Sequence, residues 1–146
     1  MKVVDKIKRI SGTLHLTAYD AHGVELWSDT AHNLIVATGY NATAEALAGV
    51  EGARIQKIAV GANGTAPQAT DTEITGAEVV NITNVEYPAP ATVRFNFMID
   101  YGVAVGMPIR EFGLLTADGR LFSRKTREAI DKTEHMSIVG AWDIHM

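Results

Sequence analysis

The amino-acid sequence predicts a mainly β protein, an antiparallel β-sandwich or flattened barrel that carries one short α-helix. Three observations lead to this fold class. Two apolar runs, Ile109–Leu115 and Leu121–Ser123, flank the turn signal Ala117–Arg120, whose glycine readily adopts a positive φ. A third apolar pattern, Met136–Met146, alternates with period two, as strands do. One alanine-rich stretch has the composition of a helix.

Length and composition are those of an ordinary globular domain. At 146 residues, 47% of them hydrophobic, the chain can bury a core as one domain. It contains no cysteine, which excludes disulfides, thiolate catalysis and cysteine-based zinc sites. The net charge of −4 gives no electrostatic basis for nucleic-acid binding. No apolar run reaches the roughly 20 residues of a membrane span, and the N-terminus lacks a signal-peptide core. We therefore expect no cofactor, no direct contact with nucleic acid and no membrane partner.

The strands are separated by recognisable turn signals. Thr13–Tyr19 alternates and, after an Asp-Ala-His-Gly turn, Val24–Trp27 returns, which predicts a first hairpin. The apolar run Asn33–Ala37 fits either a third strand or the lead into the next element. Pro88 and Pro90 fit a loop or a sheet edge. Further strands are predicted over Arg54–Val60, Val79–Glu86 and Thr92–Asp100.

One helix is predicted between the first hairpin and the remaining strands. Tyr40–Ala48 is alanine-rich, and Gly49 suits the left-handed conformation that ends many helices. Either Thr38 or Asn41 could cap its start. A single further helical turn is expected at Thr70–Glu73, which has the Thr-x-x-Glu spacing of a capping box.

Residues that could perform catalysis or bind a metal are scattered along the chain. No two of the five histidines have the spacing of paired metal ligands. Asp143 and His145 share one predicted strand face and could form an acid–base pair, but no third member is evident in the sequence. The loop Gly61–Pro67 lacks the Gly-Lys-Ser/Thr ending of a phosphate-binding loop. We therefore expect no catalytic, cofactor-binding or metal-binding residues, and no enzymatic activity.

Two basic clusters supply the candidate interface residues. The first is an N-terminal arm, residues 1–10, ahead of a single β-rich domain, residues 11–146. The cations of the arm are Lys2, Lys6, Lys8 and Arg9. The arm either orders against a partner or is a frayed tail. The second cluster is Arg124, Lys125 and Arg127, expected as a solvated turn or as one side of a salt-bridge set with a partner protein.

Several short motifs follow one another from Asn33 to the C-terminus. The first group comprises Asn33-Leu34-Ile35-Val36, Gly39 and the small-residue helix up to Gly49. The second group comprises Ile58–Gly61, Thr65–Pro67 and Asp71-Thr72. The last group comprises Ile109–Leu115, Ala117–Gly119, Leu121–Arg124 and Lys132-Thr133. In this order and spacing, the chain resembles a broad group of tailed-bacteriophage virion proteins, the tail-fibre, tail-collar and baseplate-associated proteins.

The resemblance implies a structural role in a virion and no catalytic residues. Because the sequence stops at Met146, without a long fibrous shaft, we expect a compact adaptor for fibre attachment or for the baseplate. It would dock on other virion proteins as a homo-oligomer or on a lattice. A capsid decoration protein that bridges major capsid subunits is the alternative. A carbohydrate-binding or hydrolytic β-domain is less favoured, since Trp27 and Trp142 are both predicted core residues. The expected location is the virion, assembled in the cytoplasm of the host bacterium.

Overall fold

The computed structural model describes residues 9–146, and over this range it is mainly β with one α-helix. The strands are β1 (Ser11–Asp20), β2 (Glu25–Ile35), β3 (Ile55–Gly61), β4 (Glu78–Asn81), β5 (Asn84–Ala89), β6 (Thr92–Ile99), β7 (Pro108–Thr116), β8 (Leu121–Asp131) and β9 (Met136–His145). The helix α1 (Ala37–Leu47) lies between β2 and β3, and a 3₁₀ turn, Glu51–Ala53, follows it. Within the described range, no helix has the length and apolar character needed to cross a membrane.

The strands form one curled, half-barrel sheet in the order β4-β3-β7-β8-β2-β1-β9-β6-β5, with antiparallel pairing throughout. Strand β2 turns one corner, because most of it pairs with β1 while Leu34 and Ile35 pair with β8. The two edge strands, β4 and β5, are consecutive in the chain, with Ile82 and Thr83 between them. A connection of two residues can join the two edge strands only if the sheet curls until its edges lie close together. The predicted fold class is confirmed.

The core lies between the two halves of the curled sheet. One half contributes Leu14, Phe97 and Trp142, and the other contributes Ile58, Phe112 and Phe122, all in one apolar cluster. Full burial of a side chain such as leucine or phenylalanine contributes about 1.5–3 kcal/mol. In β9, Gly140 leaves the space that the ring of Phe97 occupies, since a Cβ there would collide with it. Trp142 is a core residue, as predicted.

Three elements differ from the sequence prediction. Val24–Trp27 and Asn33–Ala37 contribute to one continuous strand, β2, because the polar residues between them also pair with β1. Val79–Glu86 is divided into β4 and β5, since the chain changes its pairing partner from β3 to β6 within it. Thr70–Glu73 forms no helical turn. The carboxylate of Asp71 is held by a buried arginine instead, as described below.

The helix starts earlier than predicted, and neither proposed residue caps it. It spans Ala37–Leu47, with Val36 at the N-cap position and no side-chain cap. The Thr38 hydroxyl donates to the carbonyl of Leu121 in β8, which ties the helix to the sheet. Gly49 ends the helix with a φ of 83°, as predicted.

The turn between β7 and β8 requires a positive φ at Gly119, which has a φ of 87°. We expect Gly119→Val to lower the free energy of unfolding by about 1–2 kcal/mol, because a β-branched residue is strained in the left-handed region. A Cβ at this position meets no other atom within 4 Å, so the cost lies in the backbone alone. Urea denaturation measures the change. Gly119→Asn is the control, since asparagine tolerates this conformation, and equal stability of the two variants would contradict the turn.

Candidate functional site

A buried ion pair lies on strands β7 and β8, beneath the loop of residues 62–77 that joins β3 to β4. Glu111 is fully buried and Arg124 is only 3% exposed. Arg124 donates from Nε and Nη2 to Oε2 of Glu111, at 2.9 and 2.8 Å. A carboxylate of the loop, Asp71, completes the network. We refer to Glu111, Arg124 and Asp71 as the loop anchor.

The remaining donors of Arg124 hold the loop itself. Its Nη1 donates to the carbonyl of Thr65 at 2.9 Å and to Oδ2 of Asp71 at 3.0 Å. Its Nη2 donates to the carbonyl of Asn63 at 3.0 Å. In return, the amide of Asn63 donates to Oε1 of Glu111 at 3.2 Å. The five N–H donors of the guanidinium therefore all have acceptors, which is what a buried arginine requires.

Two glycines make room for the loop anchor. A Cβ at Gly61 would collide with the carboxylate of Glu111. A Cβ at Gly113 would collide with the side chain of Ile74, which packs over this face of the sheet. Residues from three of the sequence motifs thus meet at one buried place. Their role here is to hold the loop of residues 62–77 on the sheet, since all five N–H donors of Arg124 are taken up by Glu111, Asp71 and two loop carbonyls.

The expectation that Arg124, Lys125 and Arg127 form a solvated turn is wrong, whereas the interface role of Lys125 and Arg127 stays a prediction. Arg124 is only 3% exposed, and its N–H donors are taken up within the fold. The guanidinium of Arg127 lies 4.7 Å from the ring centroid of Trp27 and pairs with Asp29 at 3.2 Å. Half-buried Lys125 lines an open cavity of about 300 Å³ between β2 and β8. The three residues lie within β8, not at a turn, because the strand continues past the predicted end through a polar stretch.

The N-terminal arm falls almost entirely outside the described residues. Lys2, Lys6 and Lys8 lie outside them, so the predicted interface role of these lysines stays a prediction. Arg9 is described and exposed. The next residue, Ile10, packs against the main core, and the carbonyl of Ile10 accepts a hydrogen bond from the Tyr40 hydroxyl at 3.3 Å.

A second polar cluster surrounds Asp143 on strands β1, β6 and β9. Arg94 donates from Nε and Nη2 to the two carboxylate oxygens of Asp143, at 2.7 and 2.9 Å. His15 Nε2 lies 3.5 Å from Oδ2 of the same carboxylate. Burial by itself raises the pKa of Asp143, but the hydrogen bonds and charge of Arg94, with smaller contributions from His15 and His145, lower it below its usual range.

The sequence identified Asp143 and His145 but missed their neighbours. His145 exchanges hydrogen bonds with the hydroxyls of Thr13 and Thr92, at 3.1 and 3.3 Å. The partner of the Asp143 carboxylate is Arg94. The signal available in the sequence was the position of Arg94 on the polar face of the predicted strand Thr92–Asp100. Only the pairing of β6 with β9 brings Arg94 next to Asp143.

The arrangement around Asp143 superficially resembles a hydroxyl–imidazole–carboxylate triad. The Thr30 hydroxyl lies 3.0 Å from His15 Nδ1, and the opposite nitrogen of that ring faces Asp143. However, both carboxylate oxygens of Asp143 already accept from Arg94. His15 lies on a strand face and lines none of the cavities described here. Among residues 9–146, no three His, Cys, Asp or Glu side chains are grouped so that they could hold a metal ion. The cluster connects strands and offers no enclosed place for a substrate.

Another motif residue, Lys132, is buried and serves the backbone. Its Nζ donates to the carbonyls of Tyr101 and Thr133, at 3.1 and 3.0 Å. Burial lowers the pKa of Lys132, against the opposing influence of Asp100 and Glu78. The lysine thereby fixes the loop between β6 and β7. No pattern in the sequence indicates this role, because a lysine at the end of a strand is expected to lie in solvent.

The turn between β7 and β8 is tied to the end of α1 by charged side chains. Hydrogen bonds from Arg120 and Thr116 lower the pKa of Asp118 to about 2. The Arg120 Nε lies 3.0 Å from Oδ1 of Asp118. Arg120 also forms an ion pair with Glu45, near the last residue of the helix. The turn motif is therefore part of the framework.

Substitutions in β8 distinguish a framework role from an interface role. We expect Arg124→Met to lower the free energy of unfolding by about 3–5 kcal/mol, because it leaves Glu111 as an unpaired buried charge. Urea denaturation measures this loss. The matched control is Lys125→Met on the adjacent, half-buried lysine, expected within about 0.5 kcal/mol of wild type.

The ion pair of Glu111 and Arg124 also predicts that a second substitution restores stability. A Glu111→Leu, Arg124→Met double variant is expected to recover part of the loss, since it removes the unpaired charge. An Arg124→Met variant as stable as Lys125→Met would contradict the loop anchor.

Acid stability tests the turn that contains Asp118. Because its folded-state pKa of about 2 lies below the usual aspartate value of 3.8, its carboxylate stabilises the fold above about pH 4. That contribution is lost as the pH falls toward 2. We expect the urea midpoint of wild type to fall more steeply over this window than that of Asp118→Asn. Identical slopes would show that Asp118 makes no such contribution.

Comparison with known proteins adds no relative to this picture. No protein-family model, no curated protein and no solved structure matches the chain.

Proposed function

We propose that the chain is a non-enzymatic structural subunit of a tailed-phage virion, an adaptor for tail-fibre attachment or for the baseplate. The proposal is supported by the positions of the motif residues in the fold. Those that resemble phage virion proteins meet in the loop anchor, in the β7–β8 turn and around Lys132. Each of these places holds a loop or a turn on the sheet. Such residues specify a scaffold, which is what a virion subunit requires.

The distribution of charge supports the same proposal. Of the four most buried charged side chains, Glu111, Arg124 and Asp143 are paired with opposite charges within the fold. The fourth, Lys132, donates to two backbone carbonyls. A catalytic site keeps at least one reactive group free in a cleft. The polar clusters here have their hydrogen-bonding capacity taken up by other parts of the chain. The remaining surface is thus suited to packing against other proteins.

The two tryptophans speak against a carbohydrate-binding module. Trp142 is fully buried in the core. Trp27 is partly buried, and the guanidinium of Arg127 lies over its ring. Stacking on a sugar ring needs an open aromatic face, and neither tryptophan offers one. An adaptor or a decoration protein has no such requirement.

Analysis of purified phage particles tests the proposal. Particles of the phage that encodes the chain are purified on a density gradient and their proteins are quantified by mass spectrometry, with the major capsid protein as the internal standard. We expect the chain to co-purify with intact particles, on the order of tens of copies each for a tail adaptor and hundreds for the capsid-decoration alternative. Gold-labelled antibody then locates it on the particle.

The control is a non-structural phage enzyme expressed at the same stage. This enzyme should be abundant in the infected-cell lysate and depleted from the particles. If the chain behaves like that enzyme, it is not a virion component and the proposal fails.

A further inference from the structure

The end of the sheet at which β1 begins and β9 ends carries an exposed apolar surface. It is formed by the helix end, the β5–β6 turn and the last residue of the chain. We refer to Leu47, Val50, Tyr87, Pro90 and Met146, with the two cavities between them, as the end surface. Contiguous exposed apolar area of this kind marks interaction sites in soluble proteins.

Two adjoining cavities form the concave part of the end surface. The larger, about 380 Å³, lies among Tyr87, Pro90 and Met146. The smaller, about 200 Å³, lies between α1 and the sheet and is lined by Ala46. Val93 and Met146 line both cavities, so the two lie side by side. The linings are predominantly apolar, which suits the insertion of aliphatic or aromatic side chains.

Projecting side chains stand next to these cavities. Leu47 is 84% exposed, Tyr87 is 80% exposed and Met146 is 53% exposed. Tyrosine and methionine are enriched at protein interfaces, where an apolar body is buried against a partner. One continuous surface thus carries both the apolar projections and the apolar hollows.

The rim of the end surface carries charges of both signs. Arg54 lines the smaller cavity, and Glu51 lies three residues earlier in the 3₁₀ turn. Among residues 9–146, neither side chain has an oppositely charged group within 4 Å. The Arg54 Nη2 reaches only the Gln56 side-chain oxygen, at 3.4 Å. Most other arginines described above are paired with a carboxylate.

We propose that the end surface binds the end surface of a second copy of this chain, in a two-fold symmetric dimer. A two-fold interface must be complementary to itself. This surface meets that condition, since it presents projections, hollows, a cation and an anion together. In the dimer, Tyr87 and Leu47 of one copy insert into the cavities of the other, and each Arg54 faces the partner copy's Glu51. The role of this dimer as an assembly unit rests on the proposed function.

The contact is made by side chains and does not extend the sheet. The nearest edge strand, β5, contains Pro88, which lacks the N–H that strand addition requires. Glu86 on the same strand places a further charge along that edge. Packing of the end surfaces uses the Tyr87 side chain of β5 and leaves the backbone hydrogen-bonding groups of that strand out of the contact.

Sedimentation equilibrium of the isolated protein, from micromolar to millimolar concentration, tests the dimer. We expect a reversible monomer–dimer equilibrium. Tyr87→Asp and Met146→Glu each bring a charge into the apolar contact and should raise the dimer dissociation constant about tenfold or more. Val105→Glu is the matched control, because Val105 is 52% exposed in the loop at the opposite end of β6. It should dimerise like wild type, and all variants should keep the wild-type melting temperature.

A charge exchange tests the two-fold arrangement. Arg54→Glu and Glu51→Arg should each weaken the dimer, because each places like charges opposite one another, and the double variant should restore it. A wild-type chain that stays monomeric at all concentrations overturns the proposal. So does a dimer that survives both Tyr87→Asp and Met146→Glu. Because these measurements use isolated protein, their outcome is independent of whether the chain is found in phage particles.

Discussion

The loop of residues 62–77 depends on one buried ion pair, Glu111 with Arg124. Either charge alone would be strongly unfavourable in this position, so each requires the other. Together they bind the carbonyls and amide of the loop. The loop leads from β3 into β4, and β4 continues directly into β5 at the other edge of the sheet. Holding the loop therefore also positions the segment that draws the two edges of the sheet together.

The polar side chains of this protein act mainly within the fold. Asp143 connects three strands through Arg94 and His15, and Lys132 fixes the loop after β6. Chemistry on a substrate needs a group that is reactive and accessible, and in these clusters the groups are occupied by one another. The apolar end surface is one part of the described molecule that is available for contact. A rigid sheet with one such surface is suited to assembly, which is the function proposed.

The prediction of the candidate site failed where burial had to be known. Arg124, Lys125 and Arg127 look alike in the sequence, yet the first is buried in an ion pair, the second is half-buried and the third covers Trp27. The sequence of a basic run does not indicate which of its residues will lie beneath a loop. Glu111 carried a weak signal, since it interrupts an apolar strand, but its partners come from a distant loop and from β8. Only the pairing of β7 with β8 and the path of the loop brought them together.

The mainly β class, the single short helix, the β7–β8 turn and the burial of Trp142 followed from the sequence by itself. They depend on local properties, namely period-two alternation, alanine content and the positive φ of Gly119. The tertiary structure decided the strand order, the division of residues 78–89 between two edges, the helix start at Ala37 and the location of every ion pair. These depend on which distant segments become neighbours, and side-chain alternation along one strand specifies its faces without specifying its partners.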